Sequence, residues 1–174
     1  PLIATLTDGV CEIPDPGPDS EPHAVDVSFS DTAESALTKV VRAEIAPRTV
    51  NLRQARIIVA GGAGAGSREG FGMVEELARF LGAEVGATRA SVDAGWAGHD
   101  RQIGQTGVTV RPDLYIACGI SGAVQHRVGI QGNGKVIAIN TDPAAPIFRI
   151  AHYAIVGDLR SVIPTILKLV GKAR

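Results

Sequence analysis

The residues best suited to chemistry in this 174-residue chain lie close together, between Gln102 and His126. Gln102-Ile103-Gly104-Gln105-Thr106-Gly107 sets two amide side chains, a hydroxyl and two glycines within six residues and carries no charge. Such groups hydrogen-bond a neutral heterocycle, and glycine lets the backbone approach it closely. An amide-rich loop is also an ordinary way to turn a chain. Downstream, Leu114-Tyr115-Ile116-Ala117-Cys118 is a short apolar run of the kind that fills a buried parallel strand. Gly119-Ile120-Ser121-Gly122 follows as a turn of small residues, and Ala123-Val124-Gln125-His126-Arg127-Val128 can be helical. Strand, glycine turn and helix start together aim backbone N–H groups at a phosphate. The same pattern also serves as a plain tight connection.

Other groups compete for a role. The loop Gly61-Gly62-Ala63-Gly64-Ala65-Gly66 is rich in glycine but misses the Gly-x-Gly-x-x-Gly spacing of a dinucleotide fingerprint. Alone, it reads as a turn that lets a helix pack closely on a sheet. Arg89 follows a strand end, where ligands of open α/β sheets bind, or it is a surface arginine. Asn140 and Asp158 end successive strands. A carboxylate there either holds a ribose hydroxyl or caps a helix. His23, His99, His126 and His152 form no metal-ligand spacing with one another or with Cys118. No metal is expected. Ser121 lies near His126 in sequence but belongs to the glycine turn, so no nucleophile with its base stands out.

These residues need a frame. Arg56 to Ala60 reads as the first buried strand, and Ser67 as the N-cap of a helix. Phe71, Val74, Leu77, Ala78 and Leu81 mark that helix's buried face, and Gly82 ends it. Glu84 to Thr88 is the second strand, followed by a short helical turn near Ser91 to Ala94. Leu114 to Cys118, Val136 to Asn140 and Tyr153 to Gly157 are the remaining strands. A last helix runs near Val162 to Gly171, with Ser161 as cap and Pro164 in its first turn. Strands alternating with helical stretches predict an α/β fold with a doubly wound parallel sheet. Before this lies an arm. The first half of residues 1–13 can be a strand ended by the turn signal Asp8-Gly9, residues 24–29 alternate like another strand, and Pro14-Asp15-Pro16-Gly17-Pro18 is a linker. Leu37, Val40, Val41 and Ile45 offer one helical face, with Asp31 or Thr32 as cap.

The formal net charge is −1 with no basic block, which argues against nucleic acid as a partner. Cys11 and Cys118 are far apart, so a disulfide framework is not expected. Cys118 reads as a small core residue. There is no signal peptide pattern and no apolar run of membrane-spanning length, so no membrane insertion is expected. The chain starts at Pro1 without a methionine, which reads as a fragment of a longer subunit.

Taken whole, Gln-Ile-Gly-Gln-Thr-Gly followed by Cys-Gly-Ile-Ser-Gly-Ala-Val-Gln-His closely resembles the FAD-binding domain of the electron transfer flavoprotein alpha subunit. Val85-Gly86-Ala87-Thr88-Arg89-Ala90 and Val92-Asp93-Ala94-Gly95-Trp96 belong to the same pattern. So do Ile139-Asn140, Asp142-Pro143, Ala145-Pro146-Ile147-Phe148 and Asp158-Leu159. The resemblance runs from about Arg56 to the C-terminus. It implies a Rossmann-like sheet of the DHS-like FAD/NAD-binding class over residues 51–174. Residues 1–50 then form an arm and linker, the remnant of a first domain.

The resemblance also implies roles. Thr106 would hydrogen-bond flavin N5, with Gln105 and the backbone of Ile103 and Gly104 lining the same loop. Thr88 and Arg89 would lie close to the isoalloxazine. His126 would lie near flavin O2, where a donor or a cation stabilises negative charge. Ser121, Gly122, Ala123, Val124 and Gln125 would form the phosphate-binding turn. Asn140 would meet the phosphate or ribose side, and Asp158 and Leu159 the adenosine half. The family's glycine loop usually carries an arginine where this chain has Ala63, so Arg68 or Arg89 would have to supply the charge. The implied protein is an electron carrier with no substrate turnover of its own. It accepts electrons from flavoprotein dehydrogenases such as acyl-CoA dehydrogenases and passes them to a quinone oxidoreductase or another acceptor. Its implied partner is the family's beta subunit, and its place the cytoplasm of a bacterium or the mitochondrial matrix of a eukaryote. The alternative is an NAD(P)-binding catalytic domain of a transhydrogenase-like protein, which would need a nicotinamide-facing site in place of Gln105-Thr106. A third reading is a subunit-contact fragment with an incomplete site.

Overall fold

The structure is a computed structural model that describes residues 51–172. The strands, linker and helical face expected before residue 51 lie outside the described residues. Five strands form one parallel sheet: β1 (Ile57–Gly61), β2 (Glu84–Ala87), β3 (Leu114–Cys118), β4 (Lys135–Asn140) and β5 (Tyr153–Val156). Their order is β2-β1-β3-β4-β5. All five were legible as short apolar runs between turn residues, and their ends differ from expectation by one residue or less.

Alternation along each strand builds two cores. Ile58, Ala60, Tyr115, Ala117, Val136 and Ala138 are buried on one face of the sheet. Val59, Ile116, Cys118 and Ile139 are buried on the other. Each fully buried aliphatic side chain stabilises the fold by roughly 1.5–3 kcal/mol relative to exposure. Two long helices, α1 (Arg68–Leu81) and α4 (Leu159–Lys172), pack side by side over the second face. α1 begins where predicted: the Ser67 Oγ accepts the Gly70 N–H at 3.1 Å. Its buried face is Phe71, Val74, Leu77 and Ala78, and Gly82 ends it at φ +65.

The first face is covered differently. Ile103 and Val110 from the chain after β2, and Ala145 and Ile147 from the chain after β4, are buried there. The helical pieces between strands are short: α2 (Arg89–Asp93), α3 (Val124–Arg127) and a 3-10 turn at Pro146–Arg149. The helix expected from Ala123 to Val128 is thus a single turn. The helix expected near Ser91 to Ala94 starts two residues earlier, because Thr88 caps it and accepts the Ser91 N–H.

The last helix departs most from expectation. It begins at Leu159 and not beyond Ser161. Asp158 takes the cap position: its Oδ1 accepts the Arg160 N–H at 2.9 Å, and its carbonyl accepts from Ser161 and Val162. Leu159 and Ile163 are both buried, and an early start places them one turn apart on the sheet. Pro164 therefore lies inside the helix, where it removes one backbone hydrogen bond. Burial of the two aliphatic residues outweighs that loss.

Replacing the α1 cap, Ser67→Ala, should lower the unfolding free energy by about 1 kcal/mol. A urea titration reads this as a reduced midpoint at unchanged slope; an unmoved midpoint would show that the cap contributes nothing to stability.

Candidate functional site

The sheet reverses between β1 and β3: the chain leaves β1 toward β2 on one side and returns to β3 on the other. At such a reversal the loops diverge and leave a crevice beyond the carboxyl ends of the strands. Here the crevice is a cleft of about 530 Å³, lined by the loops that follow β1, β2, β3 and β4. Its floor is a clasp between two glycine turns. The Gly62 N–H donates to the Cys118 carbonyl at 2.9 Å, and the Gly64 N–H donates to the Gly119 carbonyl at 2.8 Å. Gly119 has φ +62, and a Cβ there would stand 2.8 Å from the Gly64 carbonyl carbon. Only glycine permits both the conformation and the approach.

The Gln102–Gly107 loop forms one wall. The Ile103 N–H donates to the Ala87 carbonyl at 2.9 Å, which continues the end of β2. The Val108 N–H closes the loop on the Gln102 carbonyl, and the Gln105 N–H donates to the Gln125 carbonyl, both at 2.7 Å. Gly104 has φ +137, and a Cβ there would lie 2.6 Å from that same Gln125 oxygen. The side chain of Gln102 is buried, and its Nε2 donates to the Thr106 Oγ1 at 2.9 Å. An amide that donates to a hydroxyl oxygen leaves the hydroxyl hydrogen for another acceptor. Thr106 is exposed at the cleft, so that hydrogen is available to a ligand.

His126 lies behind this loop and is 6% exposed. Its Nδ1 is 3.0 Å from the Ile103 carbonyl, and its Nε2 is 2.9 Å from the Tyr115 hydroxyl. A carbonyl only accepts, so Nδ1 carries the hydrogen. In the neutral ring Nε2 is then the acceptor, and the Tyr115 O–H donates to it. Both nitrogens are committed within the protein. In this arrangement the ring presents to the cleft neither a free donor nor the cation weighed from the sequence. Burial lowers its pKa from 6.5 to about 4, against a smaller upward pull from the Ile103 carbonyl.

The turn after β3 offers a different chemistry. The backbone N–H groups of Ser121, Gly122 and Ala123 have no acceptor among the described residues, and Ser121 is exposed. Successive unpaired N–H groups make an anion-binding concavity. The single turn of α3 adds little dipole, so the backbone amides themselves are the attracting groups. Asn140 braces this turn. Its Nδ2 donates to the Ile120 carbonyl at 2.9 Å, and its Oδ1 accepts the Asp142 N–H at 3.0 Å.

Most residues expected at a site do meet in the cleft: Thr88, Arg89, Ile103, Gly104, Gln105, Thr106, Ser121, Ala123, Gln125, His126 and Asn140 line it. Gly122, Val124, Asp158 and Leu159 do not. Gly122 packs against Ile147, Val124 is exposed, Asp158 caps α4 and Leu159 is in the core. Gly64, Gly119, Ile120 and Asp142 also line the cleft without having been assigned a role from the sequence, and Ala63 and Gln102, weighed there for the loop charge and as a ligand amide, line it too. Among the described residues, Arg89 is the one cation lining the cleft. Its Nε lies 3.5 Å from Asp93 Oδ2 in an exposed pair. Arg68 instead reaches Glu75 at 3.2 Å and lies over the Phe71 ring, away from the lining. No group of three or more metal-ligating side chains exists among the described residues, and no helix among them is long and apolar enough to cross a membrane.

The buried neutral His126 generates a pH dependence with a definite sign. The unfolded chain takes up this proton near pH 6.5 and the folded chain only near 4. The stabilisation is complete above about 6.5 and is lost as pH falls toward about 4. Urea titrations across that window should lose up to about 3 kcal/mol through this residue. The His126→Asn variant should show a flatter pH profile; an equal slope in both proteins would reject the assignment.

Comparison with known proteins gives one consistent result. Residues 51–131 match the family model described as the electron transfer flavoprotein FAD-binding domain. The chain is 54% identical over 138 residues to the electron transfer flavoprotein subunit alpha of Thermoanaerobacterium thermosaccharolyticum, covering 79% of this chain and 42% of the relative. It is 50% identical over 170 residues to Protein FixB of Azotobacter vinelandii, covering 95% and 46%. It is 50% identical over 145 residues to the electron transfer flavoprotein subunit alpha of Bacillus subtilis, covering 82% and 43%. The chain spans about half the length of the curated relatives it matches. A parallel sheet reversed at a glycine clasp, an uncharged amide and hydroxyl wall and this sequence match together place the chain in the electron transfer flavoprotein alpha subunit family, as its FAD-binding domain.

Proposed function

We propose that this domain holds FAD across the cleft and serves as the electron-carrying part of an electron transfer flavoprotein. The observation that carries the reading is the Gln102–Thr106 pair. A buried amide turns a threonine hydroxyl into a donor at the cleft, where a flavin presents an acceptor nitrogen. FAD supplies the redox chemistry when bound. The chain supplies position, hydrogen bonds and exclusion of water.

In this reading Thr106 donates to flavin N5, and Gln105 with the Ile103–Gly104 backbone lines the same edge. Thr88 and Arg89 close the isoalloxazine end. His126 supports the pyrimidine side as a neutral ring. The N–H groups of Ser121, Gly122 and Ala123 receive the pyrophosphate, flanked by Val124 and Gln125. Asn140 keeps that turn in register on the phosphate or ribose side. The adenosine half extends past β4 toward Asp158 and Leu159, where the second carboxylate oxygen of Asp158 is left for a ribose hydroxyl. Electrons arrive from flavoprotein dehydrogenases such as acyl-CoA dehydrogenases and leave to a quinone oxidoreductase or another acceptor. A beta subunit completes the carrier, and a bacterial cytoplasm is its place. No substrate is transformed by the domain itself.

The test is native mass spectrometry of the chain after incubation with FAD and, separately, with NADP. A mass increment equal to FAD, with flavin absorbance, is the expected result. An increment for NADP and none for FAD would sink the carrier reading in favour of a nicotinamide-binding domain. A second expectation concerns Ala63, which lines the cleft where the family's usual arginine would stand. A cation there stabilises a reduced, anionic flavin. Ala63→Arg should therefore raise the flavin potential, by on the order of 1 kcal/mol per electron. Spectroelectrochemical titration of both proteins checks this, and an unchanged potential would remove Coulomb control from this position.

A further inference from the structure

Tyr115 has no part in the family reading so far, yet it is the largest fully buried side chain among the described residues. It projects from the middle strand, β3, into the face of the sheet that the Gln102–Val110 segment covers. Its ring alone would serve as core filling. Its hydroxyl needs a partner when buried, and the partner it has is His126 Nε2 at 2.9 Å. The opposite side of that imidazole meets the Ile103 carbonyl at 3.0 Å. Phenol, imidazole and carbonyl thus form a chain with one direction of donation, since the carbonyl can only accept. Ile103 is the residue from which the loop turns: its own N–H is fixed to Ala87, and the next residue, Gly104, packs against Gln125.

We propose that Tyr115 is a positioning residue for the cleft. Its hydroxyl donates to His126 Nε2 and so holds the ring, whose tautomer the Ile103 carbonyl sets, in the orientation whose Nδ1–H anchors that carbonyl, which fixes Gln105 and Thr106 in place. What the anchored loop then meets rests on the FAD reading above; the anchoring itself does not. The groups that face the imidazole carry no charge. Tyr115 stays a phenol because burial raises its pKa, and the loop contributes only Ile103 and Gly104 backbone. Arg127 is the adjacent residue on α3, and the two influences on the ring's protonation are burial and the Ile103 carbonyl. The neutral tautomer is therefore set by the Ile103 carbonyl at Nδ1, and among the described residues only Tyr115 acts on Nε2.

The experiment is nitrogen NMR of the histidine ring together with amide hydrogen exchange, on the full chain without FAD. At neutral pH the parent should show His126 with Nδ1 protonated and Nε2 unprotonated. In Tyr115→Phe, which keeps the ring, Nε2 loses its donor. The ring should then be held at one end only, and the titration midpoint should rise because the lost donor favoured the neutral ring. The Gln105 amide should exchange at least about fivefold faster, the equivalent of one net hydrogen bond. His126→Leu should accelerate that amide by a similar factor, and it keeps the test open if the tyrosine variant fails to fold. A parent ring protonated at Nε2, or an unchanged Gln105 exchange rate in a folded variant, would overturn the proposal. FAD affinity is then measured on the same proteins. If the parent binds no FAD, the reading of the cleft fails while the tautomer and exchange results still decide the role of Tyr115.

Discussion

The cleft depends on two backbone hydrogen bonds between glycine turns that leave neighbouring strands in different directions. β1 and β3 lie side by side, and the Gly62 and Gly64 N–H groups close onto the Cys118 and Gly119 carbonyls. Without that closure the loops after β1 and β3 would part, and the floor of the site would be open to water. With it, the loop after β2 and the turn after β3 face each other across a gap of fixed width. The cores on either side of the sheet hold the strands in register. They thereby hold the clasp, and the clasp holds the site. A side chain at Gly119 would act on the cofactor position through this geometry, although glycine itself has nothing to offer a ligand.

The electrostatics of the cleft follow from what the loops omit. The wall from Gln102 to Gly107 has no charge, His126 is kept neutral by burial, and Ala63 brings none. Arg89 is the remaining positive group, and Asp93 offsets it within its own helical turn. The other groups of positive character at the cleft are the unpaired amides of residues 121–123. Such groups are fixed dipoles and do not titrate.

Much of this was legible in the sequence, for physical reasons that differ by element. β1, β3 and β4 are buried on both faces and read as continuous apolar runs, so their positions were plain. α1 carried both its periodic face and its cap, and Ser67 and Gly82 mark its ends as expected. The Gln102–Gly107 loop stood out because its composition is rare. α4 was misplaced because proline and serine are strong local signals, whereas the deciding influence was burial of Leu159 and Ile163, a property of the folded chain. Gln102 was singled out with its loop, but as an amide for a ligand and not in the role it takes, for a related reason. Its role is to orient Thr106, and a contact between two side chains of one loop has no signature in spacing. Tyr115 shows the same limit more sharply: an aromatic residue in an apolar strand looks like core, and only the folded structure brings its hydroxyl to His126.

Cys118 has a further consequence. Its carbonyl is part of the clasp, while its thiol points into the helix-covered core and burial pushes its pKa up to about 12. The reactive species of a cysteine is the thiolate, which is scarce at such a value, and no solvent path leads to it. Its thiol is therefore held in the unreactive, protonated form. Cys118 thus fills the core and lends its carbonyl to the floor of the cleft without offering a thiolate there.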